Sequence, residues 1–150
     1  MKTLTKNRKA FADYEILEKF EAGLVLAGPE VKSIRAGRVN LKGSFADIDS
    51  KGELWVNEMH ISPYKFAHDR TLDPTRKRKI LLHKREIEKI DVAINQQGVT
   101  CVPLSLYLKK GLIKIKIALV RGKKQHDRRR ELKKKAHNLE VARALKKHVR

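Results

Sequence analysis

Large rings are scarce in this chain and stop early. Eight Phe, Tyr and Trp residues occur among 150, all between Phe11 and Tyr107, so the globular body is expected in that span. There is one cysteine, Cys101, which excludes a disulfide within the chain and makes a reducing cytoplasm the simplest home. No run of about 18 apolar residues is present, which excludes a membrane-spanning helix. The N-terminus, MKTLTKNRKAF, lacks the apolar segment of a signal peptide. Negative charge is scarce too: 17 Asp and Glu face 36 Lys and Arg, a net charge of +19 with an isoelectric point near 10.3. Such a balance favours a nucleic-acid partner over an acidic protein, with an anionic membrane surface as the weaker alternative. A chain of this length has room for one domain and one real core.

Charge is concentrated where the rings are missing. From Arg121 to Arg150 thirteen Lys and Arg stand against Asp127, Glu131 and Glu140, which gives +10 in thirty residues and leaves +9 for the rest. A segment so self-repelling, with so little apolar surface, is expected to need a polyanion to settle it. Leu132, Ala136, Leu139, Ala142, Leu145 and Val149 recur at helical spacing, so a helix that forms on binding is expected there. The organisation read from composition is a basic arm over residues 1–12, a body over 13–120 and a basic tail over 121–150.

Within the body, Tyr14, Ile16, Phe20, Ala22, Leu24 and Leu26 alternate with positions carrying Glu15, Lys19 and Glu21. Period two predicts a half-buried strand with Glu21 on its outer face. Gly28-Pro29 should open a helix that runs through Arg35 and stops at Gly37. Strands over about 44–49 and 53–59, joined at Asp49-Ser50-Lys51-Gly52, form a predicted hairpin. The stretch Ser62 to Lys79, with its block Arg76-Lys77-Arg78-Lys79, reads as a long basic loop before a short strand at Ile80-Leu81-Leu82. Ile87, Ile90 and Ile94 share a helical face ahead of Gly98. Alternating apolar positions from Val102 to Leu108 and from Ile113 to Leu119, with Lys109-Lys110-Gly111 between them, predict a second hairpin. Five or six strands without a βαβ rhythm give a mainly β fold with flanking α-helices, an OB-like antiparallel barrel.

The candidate chemistry is that of binding. Lys114 and Lys116 fall on one strand face about 7 Å apart, close to phosphate spacing. Four consecutive cations at Arg76–Lys79 repel one another and call for an anionic partner. His126, beside Lys123, Lys124 and Arg128, is suited to stacking on a base. Gly122-Lys123-Lys124 lacks the upstream glycine and the following Ser or Thr of a phosphate loop. Histidines 60, 68, 83, 126, 137 and 148 show no metal-ligand spacing. The pairs His68-Asp69 and His126-Asp127 lie in expected loop and tail, where nothing would hold a catalytic geometry. No enzymatic activity, cofactor or metal is expected. A ribonuclease is the enzyme-class rival, and a ribosomal or assembly-type structured-RNA-binding protein is the binding-class alternative.

Several blocks resemble one family. They are Asn7-Arg8-Lys9-Ala10, Phe20 to Leu26, Glu30 to Arg35, Asp73 to Arg76, Arg78 to Leu82, Leu104 to Tyr107 and Gly122 to Asp127. In this order they resemble SmpB, small protein B, which binds transfer-messenger RNA (tmRNA). The resemblance implies an OB-like barrel that holds the tRNA-like part of that RNA and carries it into the vacant site of a stalled bacterial ribosome. It implies that Glu21 accepts hydrogen bonds from base amino groups, that Asn7 positions RNA through its amide, that Lys114 pairs with phosphate and that Leu81 offers an apolar platform. Arg8, Lys9, Arg76, Lys77, Arg78, Lys79 and Lys116 complete the expected surface for the tRNA-like part. Lys123, Lys124, His126, Asp127, Arg128, Arg129, Lys133 and Lys134 are implied to reach small-subunit rRNA, the decoding region and the empty messenger channel. Elongation factor Tu would be met only through the charged RNA, and the protein is expected to act as a monomer in trans-translation.

Overall fold

A computed structural model describes residues 1–66 and 72–123 of the chain. Its elements are β1 (Lys2–Lys6), α1 (Arg8–Asp13), β2 (Tyr14–Leu24), α2 (Gly28–Arg35), β3 (Val39–Asn40) and β4 (Phe45–Ile48). They continue as β5 (Leu54–Asn57), β6 (His60–Ile61), β7 (Arg78–Leu81), α3 (Lys84–Ile94), β8 (Val99–Lys109) and β9 (Leu112–Gly122). The main sheet runs β1-β8-β4-β5-β7-β2-β9, every pair antiparallel, and β9 also pairs with β8. Six strands thus close into a barrel, with β1 laid on the free edge of β8. The expected mainly β barrel with flanking helices is what forms.

Local signals account for most elements. In the β8–β9 hairpin Lys109 pairs with Leu112, so the connection is the two-residue Lys110-Gly111 and not the three residues expected. Both sit at positive φ, +51° and +76°, as a type I′ turn requires. The Glu30 carboxylate accepts from the Ala27 amide at 2.9 Å, closing the first turn of α2 after Pro29. Asp49 holds the β4–β5 turn through the amides of Lys51 and Glu53, each at 2.9 Å. The helix over Ile87, Ile90 and Ile94 ends at Ile94 with Asn95 as its cap, earlier than Gly98.

The faces are less simple than period two suggests. Along β9 the odd residues Ile113, Ile115, Ile117 and Leu119 point into the main core, with Phe20, Ala22, Leu54, Val56, Ile80 and Leu106. Its even residues Lys114, Lys116, Ala118 and Val120 point outward. β2 carries a bulge between Ile16 and Glu18 and β8 another between Pro103 and Ser105. Each bulge flips the strand's parity. Tyr14 and Ile16 therefore leave the face of Phe20 and Ala22, and Leu104 leaves the face of Leu106. With Val102, Ala118 and Val120 they form a second cluster on the outer face, packed around Ala10 of α1.

Residues 1–12 are a correction to the expected arm. Lys2–Lys6 pairs antiparallel with Lys6↔Ser105 and Lys2↔Leu108, and the Asn7 amide donates to the Leu104 carbonyl at 2.7 Å. The polar KTLTK suits an edge strand whose outer side meets solvent. Its register partner lies about a hundred residues onward, beyond any local signal.

Candidate nucleic-acid interface

Helix α1 covers only one end of the outer face that β8, β9 and β2 present. The other end is bare, and strand register fixes what stands there. Glu21 of β2 lies opposite Lys116 of β9, and Gly23 opposite Lys114. Gly23 is also opposite Leu81 of β7, and Lys114 opposite Tyr107 of β8. Three strands therefore carry the row Lys114, Gly23, Leu81 beside the row Lys116, Glu21. Leu81 is 50% exposed, large for a leucine on a strand. Gly23 gives no side-chain signal in the sequence, yet it leaves backbone uncovered between a cation and an apolar side chain. A β-carbon there would meet the Leu81 Cβ at 3.5 Å, an ordinary contact, so the bare backbone is not a packing necessity.

The charges in this face are arranged. Glu21 accepts from Lys109 Nζ at 3.1 and 3.3 Å through its two oxygens. The Tyr107 hydroxyl first, and Lys109 next, hold the Glu21 carboxyl below its usual range, so it is an acceptor at neutral pH. Lys116 Nζ stands 5.7 Å over the Tyr107 ring, which burial keeps at 2% exposure. An ionised carboxylate amid Lys109, Lys114 and Lys116 can accept from base amino groups while its neighbours meet phosphates. Arg8 and Lys9 are exposed on α1, which packs on the same outer face.

Two expected RNA contacts, Asn7 and Arg78, are instead buried, and a third, Arg76, is half-buried and engaged with protein. Asn7 is 5% exposed, its amide nitrogen donating to the carbonyls of Pro103 at 2.9 Å and Leu41 at 3.3 Å. Its side-chain oxygen accepts from the Ala10 amide at 3.2 Å, capping α1, so both donors are spent on protein. Arg78 is 1% exposed: Nε and Nη2 meet the Glu30 carboxylate at 2.7 and 2.6 Å. Its Nη1 reaches the Met59 carbonyl at 2.5 Å, and its Nη2 the Pro74 carbonyl at 3.0 Å. Arg76 grips the same carboxylate through Nη2 and, at 3.1 Å, through Nε. The anion this block needs is thus Glu30, 46 and 48 positions earlier, so Arg76 and Arg78 tie the segment before β7 to α2. Lys77 stays exposed, and Lys79 lies 3.4 Å from Glu53.

Lys123 follows β9 with its amide donating to the Asp13 carbonyl at 3.1 Å. Lys124, His126, Asp127, Arg128, Arg129, Lys133 and Lys134 lie outside the described residues, as do the pairs His68-Asp69 and His126-Asp127. Among the described residues no three His, Cys, Asp or Glu are grouped as metal ligands, and no helix is long and apolar enough to cross a membrane.

The family model of SmpB protein matches residues 4–147. The chain belongs to the SmpB family. A relative from Clostridium perfringens, described as SsrA-binding protein, is 52% identical over 149 residues, 99% of this chain and 95% of that protein. One from Bacillus cytotoxicus, with the same description, is 52% identical over 145 residues, 97% of this chain and 93% of that protein. A solved chain described under "tmRNA-SmpB: a journey to the center of the bacterial ribosome" superposes with a TM-score of 0.68 at 47% identity. It covers 81% of this chain and 85% of its own. This SmpB-family barrel carries Glu21, Leu81 and Lys114 on one face, while Asn7 is buried as the cap of α1.

Proposed function

We propose that this chain binds the tRNA-like part of tmRNA through the bare half of the β8–β9–β2 face, and accompanies it to stalled ribosomes in trans-translation. The carrying observation is Glu21, an ionised acceptor held outward between lysines, beside uncovered Gly23 backbone and the Leu81 platform. A surface built only for attraction to RNA has no use for a carboxylate at its centre. Membership of the SmpB family, and relatives described as SsrA-binding protein, support the same reading. The function is binding without chemistry, and its setting is the bacterial cytoplasm where ribosomes work. Small-subunit rRNA is the second partner, met by the basic tail.

Competition between the tRNA-like fragment and an ordinary tRNA tests this. Glu21→Ala should cost the fragment about 1–3 kcal/mol and leave ordinary tRNA unchanged or slightly tighter, since a negative charge leaves a basic surface. Equal weakening of both RNAs would assign Glu21 a structural role instead.

Lys114→Ala addresses attraction. It should weaken both RNAs and lower the slope of log affinity against log salt by about one. An unchanged salt slope would remove Lys114 from the phosphate contacts.

A further inference from the structure

One buried hydroxyl in this face stands beside the Glu21 carboxylate without a hydrogen bond of normal geometry. Among the described residues only two enclosed side-chain polar atoms lack a hydrogen-bond partner, Ser33 Oγ and the Tyr107 hydroxyl. An enclosed hydroxyl left unpaired is destabilising, so its retention calls for a reason. Ser33 belongs to α2. Tyr107 lies in β8 between Thr3 of β1 and Lys114 of β9, with Lys116 over its ring and the Glu21 carboxylate beside its hydroxyl.

Both Glu21 oxygens accept from Lys109 Nζ, and the phenol, close enough to lower the Glu21 carboxyl, makes no hydrogen bond of normal geometry with it. Lys109, 46% exposed just before the hairpin turn, is open to a competing anion. A phosphate along the lysine face is such an anion, and drawing Lys109 onto it would free the carboxylate to wander. We infer that Tyr107 is the positioning residue for Glu21 in the RNA-bound state, its hydroxyl taking over the carboxylate as Lys109 moves to phosphate. The inference rests on the reading of Glu21 as the base acceptor. Tyr107 itself stays beneath the surface and touches no RNA. Burial first, and the adjacent Glu21 next, push the Tyr107 hydroxyl up, so it keeps its proton and remains a donor. The titrating and charged groups facing Glu21 are Tyr107 and Lys109 from β8 and Lys114 and Lys116 from β9. From β7 this row receives Leu81, which does not titrate.

Full-length Tyr107→Phe, Lys109→Ala, the double variant and Glu21→Ala would be titrated with the tRNA-like fragment and with ordinary tRNA. Tyr107→Phe removes one buried oxygen that makes no hydrogen bond of normal geometry, so melting should show an unchanged or raised midpoint. It should lose about tenfold in fragment affinity, the scale of one hydrogen bond to a charged group, with ordinary tRNA unaffected. Lys109→Ala should weaken both RNAs alike. For the fragment, the double variant should lose more than the product of the two single losses, because Glu21 then has neither holder. Removing the phenol should also raise the Glu21 pKa, so the variant's fragment affinity should begin to fall at a higher pH than the wild type's during acidification. Undiminished fragment binding by Tyr107→Phe, or equal loss for both RNAs, overturns the inference. If Glu21→Ala is selective and Tyr107→Phe is not, only this inference falls. If Glu21→Ala is itself unselective, the reading beneath it falls as well.

Discussion

Replacing Glu30 by alanine is expected to destabilise the fold by about 3–5 kcal/mol, because it leaves the buried Arg78 guanidinium without its counter-ion. Arg78 is 1% exposed and cannot turn to solvent, whereas Arg76, whose side chain is 32% exposed, can. Arg76→Ala should accordingly cost much less. The double change Glu30→Met with Arg78→Met should recover a large part of the loss, since an apolar pair of similar length avoids burying a lone charge. Denaturant unfolding of the three variants measures this. A Glu30→Ala cost near that of an exposed ion pair, below about 1 kcal/mol, would show that the triad contributes little. The consequence reaches the interface, since the triad anchors the start of β7, three residues ahead of Leu81.

The same carboxylate makes stability depend on pH. Burial alone would raise the Glu30 carboxyl, but hydrogen bonds from Arg76, the Ala27 amide and Arg78 together hold it below the usual glutamate range. A group depressed on folding contributes stability that is present above its unfolded pKa and is lost as pH falls through its folded value. The protein should therefore be at full strength, as far as this group decides, at neutral pH and weaken below about pH 4.3. Glu30→Gln, less stable at neutrality, should show a shallower decline over that acid window.

Elements with local signals were legible in the amino-acid sequence. Helix α2 follows from Gly28-Pro29 and Glu30, and the outward position of Glu21 from its alternation with Phe20 and Ala22. Signals that depend on distant partners were not. The block Arg76–Lys79 looks like a solvent-facing cation run until Glu30 is placed against it. Asn7 looks like a free amide in a basic arm until the carbonyls of Leu41 and Pro103 close on it. Bulges cost one residue and leave no mark on period-two counting, so Tyr14 and Ile16 seemed to share a face with Phe20. Gly23 carries no side chain to read, and its meaning appears only when Lys114 and Leu81 flank it.

Deleting the chain after Gly122 is expected to spare binding of the tRNA-like fragment and abolish productive rescue of stalled ribosomes. The barrel closes without the tail, since Gly122 is the last residue of β9 and already pairs with Tyr14. The face bearing Glu21, Leu81 and Lys114 lies wholly before the cut. Residues 123–150 carry twelve Lys and Arg against three acidic residues and no Phe, Tyr or Trp. That composition is the reason to expect rRNA phosphate as the partner of Arg128, Arg129, Lys133 and Lys134. His126→Ala should reproduce part of the loss, confined to the step after recruitment, as expected if its ring stacks on a base where the tail begins. A reconstituted tagging reaction run beside a fragment titration separates the two steps. Normal tagging by the truncated protein would reduce the tail to an electrostatic tether. Lost fragment binding would mean instead that the tail belongs to the tRNA-like interface, and that the barrel face does not suffice.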